Sequence, residues 1–250
     1  MRITIVYDNN AYDPRLRTAW GFAAFVEYGD HVLLFDTGGD GNTLLDNMAK
    51  LDLDPQRVEA VVLSHIHGDH TGGLQGLLDT GASPMVYVPA ALPAAFKEGV
   101  RARTELVEVS GPLEILPGVH STGPLGALIV EQALVIESQK GIVVITGCAH
   151  PGVVRMVRQA RKVVKDQIAL VMGGFHLGSS SQSQIERVIT DFRQLDVKQV
   201  SPTHCTGEKA IAMFATEYGD DYIQGGAGRV IVIGSEPPAN PEPKSTEPGQ

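Results

Sequence analysis

A mostly apolar run at residues 58–63 stops abruptly at Ser64-His65-Ile66-His67-Gly68-Asp69-His70-Thr71-Gly72-Gly73, and few folds accommodate such a change. The run reads as a buried strand, and the cluster beyond it as a site delivered at the strand's end. Three imidazoles and a carboxylate within six positions form a ligand cluster. In an extended or turn-like segment His65 and His67 face the same side, whereas Asp69 and His70, beyond Gly68, turn toward a neighbouring point. One short loop is therefore able to give two ligands to each of two metal ions. Solvated histidines with no common task would need this spacing to arise by chance directly after a buried strand.

The same grammar recurs three times. The apolar stretch 141–146 ends in Gly147-Cys148-Ala149-His150-Pro151-Gly152, the stretch 168–172 in Gly173-Gly174-Phe175-His176-Leu177, and the stretch 199–202 in Thr203-His204-Cys205-Thr206-Gly207. Each loop precedes a helical pattern, which for the first is carried by Val153, Val154, Met156, Val157 and Ala160. Strand, loop and helix in repetition indicate an α/β fold, in which loops at the carboxyl ends of strands converge on one edge. Four such loops bearing histidine then meet at one place.

The remaining segments frame this edge. A first strand at 3–7 leads into a turn-rich loop at 8–14 that is free to reach the site. Strands at 21–28 and 31–35 form a hairpin around Gly29-Asp30, with His31 as a turn residue. Asp36 follows, either to accept the second N–H of a metal-binding histidine or to start a turn. A helix at 42–51 is capped by Asn42 or Thr43 and packs through Leu44, Leu45, Met48 and Leu51. Thr71-Gly72-Gly73 opens a short helix whose free N–H groups suit a substrate anion, and Gly72, Gly73 and serines 179–181 are weaker candidates for touching phosphate. Further strands are expected at 84–88, 105–109, 131–137 and 230–233, with a helix at 90–97 and turns at 112–118. His120 falls in irregular chain, near the surface or beside the ligands rather than among them.

Composition narrows the class. With 250 residues and 43% hydrophobic content the chain supports one sizeable core. Residues 1–234 read as that domain and 235–250 as a disordered tail rich in Pro, Glu and Ser. A formal net charge of −9, with no stripe of lysine and arginine, argues against a nucleic-acid partner. No apolar run approaches the roughly 20 residues that span a bilayer, and Met1 leads directly into the first strand, so a cytoplasmic protein without a membrane partner is expected. Cys148 and Cys205 each stand beside a site histidine, which suits reduced thiols near a metal better than a structural disulfide.

His65, His67, Asp69 and His70 together form H-x-H-x-D-H, and with Asp36-Thr37-Gly38 and His204 the chain resembles the metallo-β-lactamase superfamily. The resemblance implies an αββα sandwich, two mixed sheets flanked by helices, with a dinuclear metal site at one edge. Thr146 to His150, Gly173 to Leu177 and Pro202 to Gly207 are more closely similar to the branch containing 7,8-dihydropterin-6-methyl-4-(β-D-ribofuranosyl)aminobenzene 5'-phosphate synthase, although Gly68 stands where that branch usually has tyrosine. By position, the resemblance assigns His65, His67 and His150 to one metal and Asp69, His70 and His204 to the other. Cys148 stands where many members place a bridging aspartate. Either its thiolate coordinates, favouring zinc, or it only lines the site and a water or hydroxide bridges; the second is preferred. Two divalent ions are implied, zinc first, with iron or manganese compatible.

Two such ions lower the pKa of a bound water toward ~7 and polarise a carbonyl or phosphoryl oxygen. The expected protein is a metal-dependent hydrolase whose activated hydroxide attacks a small phosphorylated or ester-like metabolite. Asp69 orients the nucleophile and His176 donates to the leaving group or developing anion. The alternative is a transferase in which an arylamine displaces diphosphate from a dihydropterin diphosphate. A di-iron redox or metal-binding protein is less favoured, because no flavin-binding domain accompanies the site.

Overall fold

Ile3 and Ile5 of the first strand, β1 (Arg2–Asp8), enter one apolar core, whereas Val6 and Tyr7 belong to another. The division continues along β2 (Phe22–Tyr28), where Phe22, Ala24 and Val26 face the first core and Ala23 and Phe25 the second. It holds again in β3 (His31–Phe35), with Leu33 and Phe35 opposed to Val32 and Leu34. Strands covered on both faces read as unbroken apolar runs, which is why periodicity in the sequence is weak here. The computed structural model describes residues 1–234; the expected tail at 235–250 lies outside the described residues.

The chain continues through α1 (Gly41–Lys50), β4 (Ala60–Val62), the single turn α2 (Gly68–Thr71), α3 (Leu74–Asp79), β5 (Met85–Pro89), α4 (Ala94–Arg101) and β6 (Leu106–Val109). Then follow β7 (Leu113–Leu116), β8 (Val119–Ser121), β9 (Leu134–Ile136), β10 (Ile142–Thr146) and α5 (Val153–Val163). The last elements are β11 (Ile168–Gly174), α6 (Gln182–Gln194), β12 (Gln199–Thr203), α7 (Glu208–Tyr218) and β13 (Val230–Val232).

One sheet has the order β13-β1-β2-β3-β4-β5-β6, antiparallel as far as β3 and parallel from β3 to β6. The other runs β12-β11-β10-β9-β8-β7, parallel among β12, β11 and β10 and antiparallel beyond. Ile5, Phe35, Ile136, Ile145 and Met172 share the core between the sheets. Leu44, Leu77 and Val100 cover the outer face of the first sheet from α1, α3 and α4. Met156, Phe192 and Phe214 cover the second from α5, α6 and α7. The architecture is the αββα sandwich that the sequence implied.

Several local expectations differ. Residues 112–118 are not a run of turns: β7 and β8 pair across them, and His120 lies in β8 with Nε2 2.7 Å from Glu137 Oε1. His31 belongs to β3 and contacts Glu59 at 3.0 Å. The cap of α1 is Asp40, whose Oδ1 accepts from the Thr43 N–H at 2.8 Å, in place of Asn42 or Thr43. Helix α4 begins only after Pro93, a residue tolerated at a helix start and not inside it.

Parallel strands deliver their following loops to a common edge. Asp36 follows β3, His65 follows β4, Cys148 and His150 follow β10, His176 follows β11 and His204 follows β12. Six non-glycine residues among those described have positive φ, and four of them sit at these strand ends: Asp36 at 57°, Ala149 at 61°, His176 at 52° and His204 at 52°. Each such residue costs on the order of 1–3 kcal/mol, and it persists where surrounding contacts hold it. Among the described residues no helix is long and apolar enough to cross a membrane.

Candidate metal centre

Asp36 is fully buried beneath the loop that follows β4. Its Oδ1 accepts the Ser64 N–H at 2.6 Å, and its Oδ2 accepts the Ser64 hydroxyl and His70 Nδ1–H, both at 2.7 Å. This fixes the His70 tautomer and leaves Nε2 as a lone pair. Ser64 has given its only hydroxyl proton to Asp36, so at 2.8 Å it accepts from His65 Nδ1–H, and His65 Nε2 is left bare as well. From the opposite side Asn9 Oδ1 accepts His204 Nδ1–H at 2.8 Å, freeing a third Nε2. The turn-rich loop after β1 thus does reach the site.

These free nitrogens converge. His65 Nε2 lies 3.1 Å from His67 Nδ1. His70 Nε2 and His204 Nε2 approach Cys148 Sγ at 3.1 and 3.3 Å, and Asp69 Oδ2 at 3.5 and 3.4 Å. His150 Nε2 is buried and has no hydrogen-bond partner. Asp69, His70, Cys148 and His204 form one group with ligand atoms all within 4.8 Å of one another, and His65, Cys148 and His150 form a second. Cys148 Sγ is common to both, in the position between the two histidine sets rather than at their margin. A third group joins Cys148 to His176 and Cys205. His176 itself is exposed, with its ring 4.3 Å from that of His150 at the rim.

Electrostatics favour lone pairs turned inward. Burial, then the charges of His70, His150 and His67, holds His65 far below the usual imidazole range. Burial, His176 and His67 push His150 down to about 4. Burial alone would lower His70 too, but Asp36 and Asp69 outweigh it and bring the ring up to about 10. Asp69 stays ionised well below the ordinary carboxylate range: burial opposes this, and hydrogen bonds from His204 and His70 prevail. The thiols titrate as a pair. Their mutual hydrogen bond raises Cys148, helped by burial, and lowers Cys205, helped by His176. An orphaned buried imidazole nitrogen, three further bare Nε2 atoms, a carboxylate and a thiol form a donor set that fits divalent metal ions.

Some residues of the centre carry no signal in the sequence. Glu131 was read as the start of a strand, but the strand begins at Leu134 and Glu131 clamps the Cys148–His150 loop. Its Oε1 accepts the N–H groups of Cys148 and Ala149 at 2.9 and 2.8 Å, and its Oε2 accepts that of His150 at 2.8 Å. Burial pushes Glu131 up to about 7 although those amides favour its charge. Gly147 passes so close to the first sheet that a Cβ there would stand 2.1 Å from Ser64 Oγ. Trp20, 60% exposed, sets its ring 5.0 Å from His204. The candidate phosphate contacts have other tasks: a Cβ at Gly72 or Gly73 would meet the carbonyl oxygen of Gly39 or Thr37 at 2.1 or 2.0 Å, and Ser181 caps α6.

The family model of the metallo-beta-lactamase superfamily matches residues 21–204, from the approach to β2 through the last of the converging histidines. The chain belongs to this superfamily. Over 278 aligned residues it is 26% identical to a 7,8-dihydropterin-6-methyl-4-(beta-D-ribofuranosyl)-aminobenzene-5'-phosphate synthase from Methanocaldococcus jannaschii, covering 91% of this chain and 95% of that protein. A ribonuclease Z from Methanococcus aeolicus is 32% identical over 101 residues, covering 40% of this chain and 25% of its own length. A solved structure described as a metal-dependent hydrolase of the beta-lactamase superfamily superposes with a TM-score of 0.79 at 28% identity, covering 94% of this chain and 99% of that one.

Proposed function

We propose that this superfamily member is a metal-dependent hydrolase acting on a small phosphorylated or ester-like metabolite. The observation that supports this most is the meeting of the Asp69, His70 and His204 set with the His65 and His150 set at a single atom, Cys148 Sγ. Two divalent ions, zinc first for a thiol and imidazole donor set, would be held by His65, His67 and His150 on one side and Asp69, His70 and His204 on the other. Such ions supply Lewis acidity and a water acidic enough to ionise near neutral pH. The chain's own groups direct the rest. Asp36, Ser64 and Asn9 hold the imidazoles with Nε2 inward, so the donors need no rearrangement. Asp69 stays ionised and orients the attacking water by accepting its hydrogen bond. His176, at the rim beside His150, is placed to donate a proton to the departing oxygen.

The test is a screen of phosphodiesters, lactones, thioesters and pterin phosphates with the metal-analysed protein. Hydrolysis of at least one class is expected, lost on chelation and regained with metal, and a His176→Ala variant should lose roughly 10²–10⁴-fold in kcat. Metal-loaded protein that turns over none of them would contradict hydrolysis. Similarity to the synthase along nearly the whole chain favours a second reading, displacement of diphosphate from a dihydropterin diphosphate by an arylamine. Consumption of that diphosphate only when an aminobenzoate-type acceptor is added would select transfer over hydrolysis.

A further inference from the structure

A hollow of about 390 Å³ opens beside the metal centre, between the start of α5, the loop after β11 and the inner face of α6. We propose that it is a substrate subsite that takes an organic anion, a phosphate or carboxylate carried on an apolar or aromatic body. The proposal rests on the hydrolytic or transfer reading only in placing the reacting bond at the centre; occupancy of the subsite is measurable without turnover.

Three features point to this ligand. The hollow is continuous with the centre, because His150 and His176 line it while their rings stand 4.3 Å apart at the rim. A molecule seated there has one end against the unpartnered His150 nitrogen. Its wall is mainly apolar, with Phe175 at its back, so the body of the ligand needs no hydrogen bonds. Its charge departs from that of the chain: two guanidinium groups, Arg155 and Arg158, line it in a protein with a formal net charge of −9.

The two arginines are not equivalent. Arg158 Nη2 donates to Asp191 Oδ1 at 2.7 Å, which fixes its fork and neutralises it within the same hollow. Arg155, one turn earlier on α5, has no hydrogen bond or ion pair with any described residue. It is the free cation of the subsite. A planar guanidinium matches the oxygen pair of a carboxylate or phosphate, and the hollow carries one net positive charge for one anionic group. A second hollow, about 490 Å³ between α6 and α7, has no histidine or cysteine in its wall and Glu186 and Glu217 around Lys209, so it lacks both the link to the centre and the charge.

The experiment titrates phenyl phosphate and, separately, benzoate into the metal-loaded full chain by calorimetry, for the wild type, Arg155→Glu and Arg155→Lys, with the metal content of each measured alongside. The expected result is a Kd for at least one probe that rises about tenfold or more in Arg155→Glu and stays within about threefold in Arg155→Lys, at equal metal content. Which probe responds says whether phosphate or carboxylate is preferred. Equal Kd in wild type and Arg155→Glu, a rise that comes only with loss of metal, or no binding of either probe by the wild type overturns the proposal. Arg155-dependent binding without turnover of any substrate would instead sink the catalytic reading and leave the subsite standing.

Discussion

Glu131 should matter more than its absence from any motif suggests. Its fully buried carboxylate is the acceptor for three successive N–H groups, those of Cys148, Ala149 and His150, in a loop whose middle residue holds φ at 61°. In Glu131→Ala all three donors lose their partner. An unpaired buried donor costs about 1–3 kcal/mol, so the sum would reach about 3–9 kcal/mol if the loop stayed closed. Opening the loop to water is the cheaper outcome, which caps the loss at about 3–5 kcal/mol and carries His150 and Cys148 away from the other ligands. Glu131→Gln keeps an oxygen for two of the amides and turns an NH₂ toward the third. Burial already pushes Glu131 up to about 7, so a neutral amide avoids part of the charge-burial cost, and the expected loss is only about 1–2 kcal/mol. Urea unfolding followed by circular dichroism gives the stabilities, and dialysis against a graded chelator gives metal affinity. The order wild type, Gln, Ala should hold in both. A Glu131→Ala protein with the wild-type urea midpoint and wild-type metal affinity would refute the reasoning.

Asp36→Asn replaces an acceptor of three hydrogen bonds, including that of His70 Nδ1–H, and should weaken metal binding about 10–100-fold; unchanged affinity in a chelator competition would count against the orienting role. Gly147→Ala places a methyl group 2.1 Å from Ser64 Oγ and 2.9 Å from Asp36 Oδ2, so a stability loss on the order of 1–3 kcal/mol is expected in urea, and none would mean the two sheets approach less closely at this edge. Asp8 is held by Asn10 and Thr203, yet burial brings it up to about 6. Its folded pKa lies above the unfolded value of about 4, so this stabilising contribution is complete below about pH 4 and is lost as pH rises through about 6, in total about 3 kcal/mol. Asp8→Asn should flatten the stability profile between those limits, and a profile of unchanged slope would reject the assignment.

The converging histidines were legible because each follows an apolar run long enough to be a strand and precedes a helical pattern. Asp36 was legible for the same reason, as a carboxylate at a strand end. What those runs do not encode is how the two sheets face each other, and that decides the position of Cys148, from the second sheet, between the histidines of the first. Glu131 was hidden because its partners are backbone amides, which leave no residue pattern. The short β7 and β8 escaped notice because 4 and 3 residues around Gly118 give too little alternation to distinguish strand from turn. Gly72 and Gly73 misled in the opposite direction: glycines beside a ligand cluster suggest anion contacts, but here they let the loop pass against the backbone of residues 37–39.

The central claim, that two donor sets meet to hold two metal ions, is tested most directly by elemental analysis of the wild-type protein beside His67→Ala and His204→Ala. The expected result is two equivalents of divalent metal in the wild type and the loss of at least one in each variant. Two full equivalents in both variants would contradict the assignment of these residues and with it the dinuclear centre.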